Sequence, residues 1–377
     1  MKIMSVAELK SLMDLQESRC ASIYLSLSPS GEPANQVRIK LKNALKELDA
    51  LLDRDGWGKA RKYAFMEPLK TVLADTTIGK NINTSLAVFR SSAGMRYIWL
   101  PNKVKDLVVL SDRFHIKPLI RFYSGEDLFL LLALSLKQVR LFRCSRYTIG
   151  AVENAGMPLG LKEALNYEER EKTLQRPHGG ASGMGPVHGT GYELMIDDII
   201  KYFRIVDKTV LRVLPDMDLP LLIAAVEREI PLYMKISSYP NIVERGLPGN
   251  PDGLSERELH DSSMKVMEPY FIDIEEKAVS EYHEKAGSGK TSRNLMEILP
   301  MASEGRIRVL FVAEGHTQWG RFGSETGDIE MHNEKISGDQ DLLDLASYHT
   351  LLAGGRVYVL DSEKVPGGTL AAAIYRY

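Results

Sequence analysis

Leu128-Phe129-Leu130-Leu131-Leu132-Ala133-Leu134-Ser135 is an apolar run closed by its only polar side chain. A short, continuous apolar segment of this kind reads as a strand buried on both faces. Extended to Leu136, it is still far short of the ~20 residues that a membrane-spanning helix needs. Gln138 to Phe142 alternates and reads as its hairpin partner. Arg140, Arg143 and Arg146 lie on or near this second strand and are expected on a solvated strand surface.

Downstream comes Arg176 to Gly191, a stretch dense in glycine and containing His178 and His188. Glycine loses more backbone entropy on ordering than any other residue, so such a segment serves as a linker or as a tip ordered by a partner. A helix is expected from Glu193 to Leu214. Ile196, Ile199, Phe203, Val206 and Val210 repeat at three- and four-residue spacing on one face. Lys201, Arg204, Lys208 and Arg212 form a second stripe roughly opposite. That stripe reads equally as a solvated charged face and as a row of phosphate contacts. Pro215 stops the helix, and Leu219 to Val226 is another apolar strand. Glu227 and Glu229 follow it as helix-capping or solvated carboxylates. Ser237 to Gly253, rich in turn formers, reads as a surface loop or a junction. Leu254 to Tyr282 is helical and opens with Ser255 and Glu258 in capping-box spacing.

The outer thirds are α/β in pattern. Ser22 to Leu27 alternates as a strand. A helix opening at Asn35 carries Val37, Leu41, Leu45, Leu48 and Leu52 on one face, flanked by Arg38, Lys42 and Lys46 as a solvated edge. Lys59 to Leu73 forms a further helix. Thr84 to Phe89 and Met95 to Leu100 pair around a turn at Arg90 to Gly94, and Val104 to Leu110 is another strand. His115 is a lone histidine, expected in a surface or satisfied polar role. In the last third, Val309 to Ala313 is a buried strand followed by a polar insertion through Ile336. A helix at Leu342 to Leu352 stops at Gly354-Gly355, a strand follows at Val357 to Leu360, and Leu370 to Tyr377 closes the chain.

Hydrophobic residues make up 44 % of the chain, charged residues 26 %, and the formal net charge is −2. These are the proportions of an ordinary water-soluble protein, so any surface for nucleic acid must be a local patch. No apolar leader or spanning segment is read, and the expected location is the cytoplasm, with no membrane partner. Cys20 and Cys144 form no Cys/His cluster, and neither a zinc site nor a disulfide framework is expected. Gly287-Ser288-Gly289-Lys290-Thr291 imitates the end of a P-loop. However, Glu284 stands where the first glycine belongs, and a helix precedes it instead of a strand. No nucleophile elbow or HExxH motif is present. No catalytic residue, metal site or cofactor is therefore assigned.

Three stretches, taken in order, resemble the archaeo-eukaryotic class-one release factor and Pelota superfamily, in its bacterial homologues. The first third offers Ala21-Ser22-Ile23-Tyr24-Leu25 before a basic helix, then Asp112-Arg113-Phe114-His115. The middle offers Arg176-Pro177-His178-Gly179-Gly180, the basic helix, and Leu221-Leu222-Ile223-Ala224-Ala225. The end offers Val309-Leu310-Phe311-Val312-Ala313-Glu314, Val357-Tyr358-Val359-Leu360, and Pro366-Gly367-Gly368 running on to Arg376-Tyr377. The resemblance implies three α/β domains. These are 1–122, decoding-domain-like; 123–260, ribonuclease-H-like and carrying the glycine loop; and 261–377, an α/β sandwich that in relatives docks a translational GTPase.

Release factors carry Gly-Gly-Gln in the loop, and its glutamine helps water attack the peptidyl-tRNA ester. Here Ala181 follows Gly179-Gly180, and the Asn-Ile-Lys-Ser stop-codon motif is absent from the helix reading Asn35-Gln36-Val37-Arg38-Ile39-Lys40. The expectation is a ribosome-associated factor for rescue or hibernation that lacks the glutamine for peptidyl-tRNA hydrolysis. Its rRNA-facing loop would comprise His178, Gly179, Gly180, Ala181, Gly183, Gly185, His188, Gly189 and Gly191, with the Lys201, Arg204, Lys208, Arg212 stripe beside it. The alternatives are a nuclease or esterase using the loop histidines, and a protein-binding adaptor.

Overall fold

Alternation in the first third becomes a four-stranded antiparallel sheet in the computed structural model. That model describes residues 6–14, 16–27, 34–74, 85–101, 103–123, 127–152, 156–158, 160–165, 191–214, 219–323, 326–336 and 338–377. Helix α1 (Val6–Met13) leads into strand β1 (Gln16–Ser26), and α2 (Ala34–Arg54), α3 (Lys59–Met66) and α4 (Leu69–Ala74) follow. Strands β2 (Ser85–Ser91), β3 (Gly94–Leu100) and β4 (Leu107–Arg113) complete the sheet in the order β3-β2-β1-β4, and α5 (Lys117–Tyr123) comes next. Val37, Leu41, Leu45, Leu48 and Leu52 of α2 are all buried against this sheet, as their spacing requires.

Two departures from the pattern share one cause. The expected helix over 59–73 is split because Pro68 lacks an N–H and its ring crowds the carbonyl four residues earlier. The carbonyls of Ala64 and Phe65 instead accept from the guanidinium of Arg90, with Phe65 O 3.0 Å from Nε. That draws Arg90 into the core, so β2 runs on to Ser91 and the turn shrinks to Ser92-Ala93. Strand β4 starts later than expected because Val104 N donates to Ser85 Oγ at 2.9 Å and Asp106 accepts from Ser26 N. Side chains there take over from the ladder.

The middle of the chain, 127–273, is a compact unit of its own. Strands β5 (Phe129–Leu134), β6 (Val139–Ser145) and β7 (Thr148–Ala151) are antiparallel neighbours. After α6 (Gly191–Val213), β8 (Leu221–Ala225) lies parallel to β5. After α7 (Glu229–Ile236), β9 (Leu247–Pro248) lies parallel to β8, giving the order β7-β6-β5-β8-β9. Every residue of β5 is buried. Leu130, Leu132 and Leu134 pack with Ile199, Phe203, Val206 and Val210 of α6. Phe129, Leu131 and Ala133 pack with Leu259, Met267 and Phe271 of α8 (Glu256–Lys285) on the other face. The strand is thus covered on both sides, as its composition demands.

The α8 start carries the expected capping box, with Ser255 and Glu258 bonded reciprocally at 2.9 and 3.3 Å. Of the three arginines on or next to β6, two depart from the solvated surface expected of them. Arg140 donates to the carbonyls of Pro251 and Leu254, pinning the 237–253 loop, while Arg146 pairs with Asp127 and Glu268. Only Arg143 of the three is exposed.

Residues 2–126 and 274–377 together make the second compact unit. Beyond the end of α8, β10 (Thr291–Ser292), α9 (Leu295–Ser303) and β11 (Ile307–Ala313) build the C-terminal part. A small sheet of β12 (Trp319–Phe322), β13 (Ile329–His332) and β14 (Gln340–Asp341) occupies what reads in sequence as a polar insertion. Then come α10 (Leu342–Leu352), β15 (Arg356–Leu360) and β16 (Ala371–Tyr375), in the sheet order β10-β16-β11-β15. Strands β11 and β15 are parallel and linked through α10, and Gly354, with φ 73°, ends that helix.

The two segments of this unit are joined by buried charge. Lys117 Nζ lies 2.6 Å from Asp341 Oδ2, both side chains being almost fully buried, and it also donates to the His316 carbonyl. The other Asp341 oxygen caps α10 through Leu343 N and accepts from Gln318 N, both at 3.1 Å. Asp344 Oδ1 accepts from Ile116 N at 2.8 Å and from Lys117 N, and it stands 3.6 Å from His115 Nδ1. The expected surface or satisfied role for His115 is therefore corrected. It is 3 % exposed, its Nε2 has no hydrogen-bond partner, and burial pushes its pKa down.

Candidate nucleic-acid interface

Helix α6 combines the properties that an electrostatic contact surface requires. Its inner face is fixed by Ile199, Phe203, Val206 and Val210, each nearly or fully buried. Tyr202 anchors the same face through its hydroxyl, which donates to the Ser135 carbonyl at 2.7 Å. Asp207 is buried as well and accepts from Ser237 Oγ and Ser238 N, locking α6 to the end of α7. With one side held by packing and hydrogen bonds, the rotation of the helix is set. Lys201, Arg204, Lys208 and Arg212 are then all exposed.

From residue 201 to 212 the helix rises about 16 Å at 1.5 Å per residue. The four cations therefore form a ladder some three turns long. Lys201 is engaged by Asp198 at 2.9 Å, an exposed i,i+3 pair of the kind that contributes little to stability. The guanidinium of Arg212 lies beside Gly156, where an added Cβ would come within 3.4 Å of Nη2. Among the described residues, no ion pair engages Arg204 or Lys208. Exposed cations of this sort are available to phosphate oxygens and release counterions on contact.

The glycine-rich segment falls almost wholly outside the described residues. That holds for His178, Gly179, Gly180, Ala181, Gly183, Gly185, His188 and Gly189, while Gly191 is the first residue of α6. The reading of α6 as the element that leaves this segment is thus carried by chain order. Among the described residues, no group of three or more His, Cys, Asp or Glu side chains is arranged to hold a metal ion.

Two features are not visible in the sequence. The first is a groove of about 590 Å³ where Lys42 and Lys46 of α2 meet Lys59 and Lys62 of α3 and Lys70 of α4 around the exposed ring of Tyr63. The helical spacing of Lys42 and Lys46 is legible, but their approach to α3 and α4 depends on packing distant in sequence. Lys62 is tied to Asp49 and Asp53, and Lys70 to Glu67. The second is Glu229, expected as a capping or solvated carboxylate. It sits in the first turn of α7 and is buried, with Oε2 unpartnered and its pKa raised by that burial, whereas Glu227 is exposed.

The model of Bacterial archaeo-eukaryotic release factor family 3 matches residues 128–306, a span that contains β5, the glycine-rich segment and α6. The resemblance drawn from the ordered stretches of the chain is borne out by that match. Solved structures similar to the chain include the archaeal translation termination factor aRF1, at 14 % identity, covering 99 % of this chain and 98 % of that one with a TM-score of 0.24. An archaeal Pelota, described as ribosome-bound with ABCE1, is similar at 10 % identity over 100 % and 95 % with a TM-score of 0.37. S. cerevisiae Dom34, a translation termination-like factor interacting with Hbs1, is similar at 11 % over 75 % and 73 % with a TM-score of 0.36. No curated protein matches the sequence. Among the described residues, no helix is long and apolar enough to cross a membrane.

Proposed function

We propose that this protein is a cytoplasmic translation factor that enters a tRNA-shaped site on the ribosome, serving rescue or hibernation and not stop-codon termination. One observation carries the reading. The helix that follows the glycine-rich segment, inside the family match, presents four exposed cations on a face whose rotation is set by buried packing. In this reading Lys201, Arg204, Lys208 and Arg212 bind rRNA phosphates, and the segment from His178 to Gly191 reaches into the rRNA beyond them. The entropy cost of ordering so many glycines is met on contact with the partner.

Ala181 beside Gly179-Gly180 argues against ester hydrolysis by the loop, because no glutamine stands there to orient water. The missing Asn-Ile-Lys-Ser motif argues against codon reading. The order β7-β6-β5-β8-β9, with three antiparallel strands followed by two parallel additions, supports a ribonuclease-H-like middle domain. The three-domain division at 122 and 260, and a translational GTPase as partner of the C-terminal sandwich, belong to the same reading.

The test is co-sedimentation with 70S particles across a salt series. Binding that weakens with salt and disappears when Lys201, Arg204, Lys208 and Arg212 are changed to Glu supports the reading. Each cation removed singly should lower the log–log salt slope by about 1. Absence of ribosome association at low salt overturns it.

A further inference from the structure

Helices α2, α3 and α4 pack on one another through Leu48, Leu52, Phe65 and Leu69, and residues of all three line an open groove of about 590 Å³. Its floor is apolar. Leu45 is buried, Met66 is half-buried, and Tyr63 is 63 % exposed. Five lysines and Asp49 supply the charge of the lining. Two of the lysines are already met by carboxylates of this chain. Lys62 pairs with Asp49 at 3.1 Å and with Asp53 at 2.7 Å, and Lys70 pairs with Glu67. Lys42, Lys46 and Lys59 are exposed, and among the described residues no ion pair engages them. Lys42 and Lys46, four residues apart on α2, repel one another in the free protein. An exposed apolar floor rimmed largely by cations marks an interaction surface for a negatively charged partner.

We propose that this groove docks an acidic amphipathic helix of a partner protein, with an apolar side chain of that helix against Tyr63 and Met66 and its carboxylates on Lys42, Lys46 and Lys59. The spacing selects the occupant. Lys42 and Lys46 stand about 6 Å apart along α2 at 1.5 Å per residue. Carboxylates one turn apart on a second helix share that interval. A helix laid alongside α2 therefore meets both lysines at once, and the apolar face between its acids is turned to the floor. The flexible thioether of Met66 and the aliphatic stems of the lysines adapt to such a face. A nucleic-acid strand matches the groove less well. Its phosphates would be brought against Asp49 as well as against the lysines. Lys70 Nζ also lies 5.1 Å over the Tyr63 ring, on a face that a base would stack on. Three unengaged ammoniums call for a few carboxylates and not for a continuous polyanion. The groove lies in the second unit and owes nothing to the reading of α6.

The test is a fluorescence-anisotropy titration of the full chain against a labelled synthetic peptide of about 18 residues, above the length at which isolated helices are marginal. It carries leucine on one face and glutamate pairs one turn apart beside it. Matched peptides carry glutamine or lysine in place of glutamate, and a labelled oligouridylate is titrated in parallel. The glutamate peptide should saturate one site and weaken as salt is added. The glutamine and lysine peptides should bind at least about tenfold more weakly, a difference near 1.4 kcal/mol. The double variant Lys42→Glu/Lys46→Glu should weaken the glutamate peptide by about tenfold or more, and Tyr63→Ala by about threefold or more. Urea midpoints measured alongside verify folding. No saturable binding of the glutamate peptide at millimolar concentration overturns the proposal. So does equal binding of the glutamine peptide, or binding untouched by both variants while they remain folded. Oligouridylate binding that is tighter than the peptide's and is lost in Lys42→Glu/Lys46→Glu overturns it as well, and assigns the groove to nucleic acid.

Discussion

Lys117 and the cations of α6 solve opposite problems. The four side chains of α6 keep their charge in water, at no desolvation cost, and can be exchanged with little effect on the fold. Lys117 is almost fully buried, and its ammonium is met by the Asp341 carboxylate, itself fixed at the start of α10, and by the His316 carbonyl. A buried pair is a weak source of net stability, because desolvation of both ions offsets their attraction. It is also unforgiving, since either ion alone is stranded. A cation's burial thus indicates whether removing it will damage the fold or the function.

The largest expected effect breaks the buried side. Lys117→Ala leaves Asp341 charged and unpaired, and should cost about 3–5 kcal/mol in urea unfolding. The double change Lys117→Met/Asp341→Asn removes both charges while leaving an amide oxygen for the Leu343 and Gln318 N–H groups, and should recover most of that loss. If the double variant is as unstable as the single one, loss of the pair's charge balance is not the cause.

A second prediction concerns protons near the same junction. Burial, with Arg113 adding to it, pushes His349 of α10 down to about 4, and burial pushes His115 down as well. The unfolded chain takes up a proton at each near pH 6.5, before the folded one does. Stability should therefore hold above about pH 6.5 and fall as the pH drops toward about 4. Asp344 acts the other way. Its carboxyl is raised by burial, so the folded state takes up its proton first and part of the acid loss is offset. His349→Gln should flatten the acid limb of the urea midpoint against pH, and an unchanged limb would remove His349 from the account.

On the exposed side the stability effects are the smallest. Changing Arg204 or Lys208 singly to Glu should move unfolding free energy by no more than about 0.5 kcal/mol. Lys201→Ala, which forfeits only the Asp198 contact, should stay within the same limit. Ribosome co-sedimentation should nonetheless weaken in each case. A large loss of stability from any of these changes would show that the helix face is structural.

The same contrast explains what could be read without coordinates. The α6 stripe and its apolar partner face repeat at helical spacing, so Ile199, Phe203, Val206 and Val210 announced their burial, and the hairpin of β5 with β6 followed from composition and alternation. Ser255 and Glu258 were legible because capping is local. The junction at His115 and Lys117 was not, because its carboxylate partners lie more than 220 residues away and no local spacing encodes them. Arg90 and Glu229 misled for a related reason. Arg90 reads as part of a turn but is drawn inside by carbonyls of α3, and Glu229 reads as a capping or solvated carboxylate but is buried with Oε2 unpartnered.

The second unit is discontinuous, built from 2–126 and 274–377 with the whole middle unit between them. That arrangement sets an order on synthesis. The middle unit has all of its chain once residue 273 has emerged, and domains fold as units while the chain lengthens. The first segment must wait. Its sheet and helices can form, but Lys117 has no carboxylate to meet until Asp341 is made. Until then the N-terminal segment carries a cation bound for burial without its partner. Synthesis of the segment from 274 onward is therefore the step that completes the unit begun by 2–126.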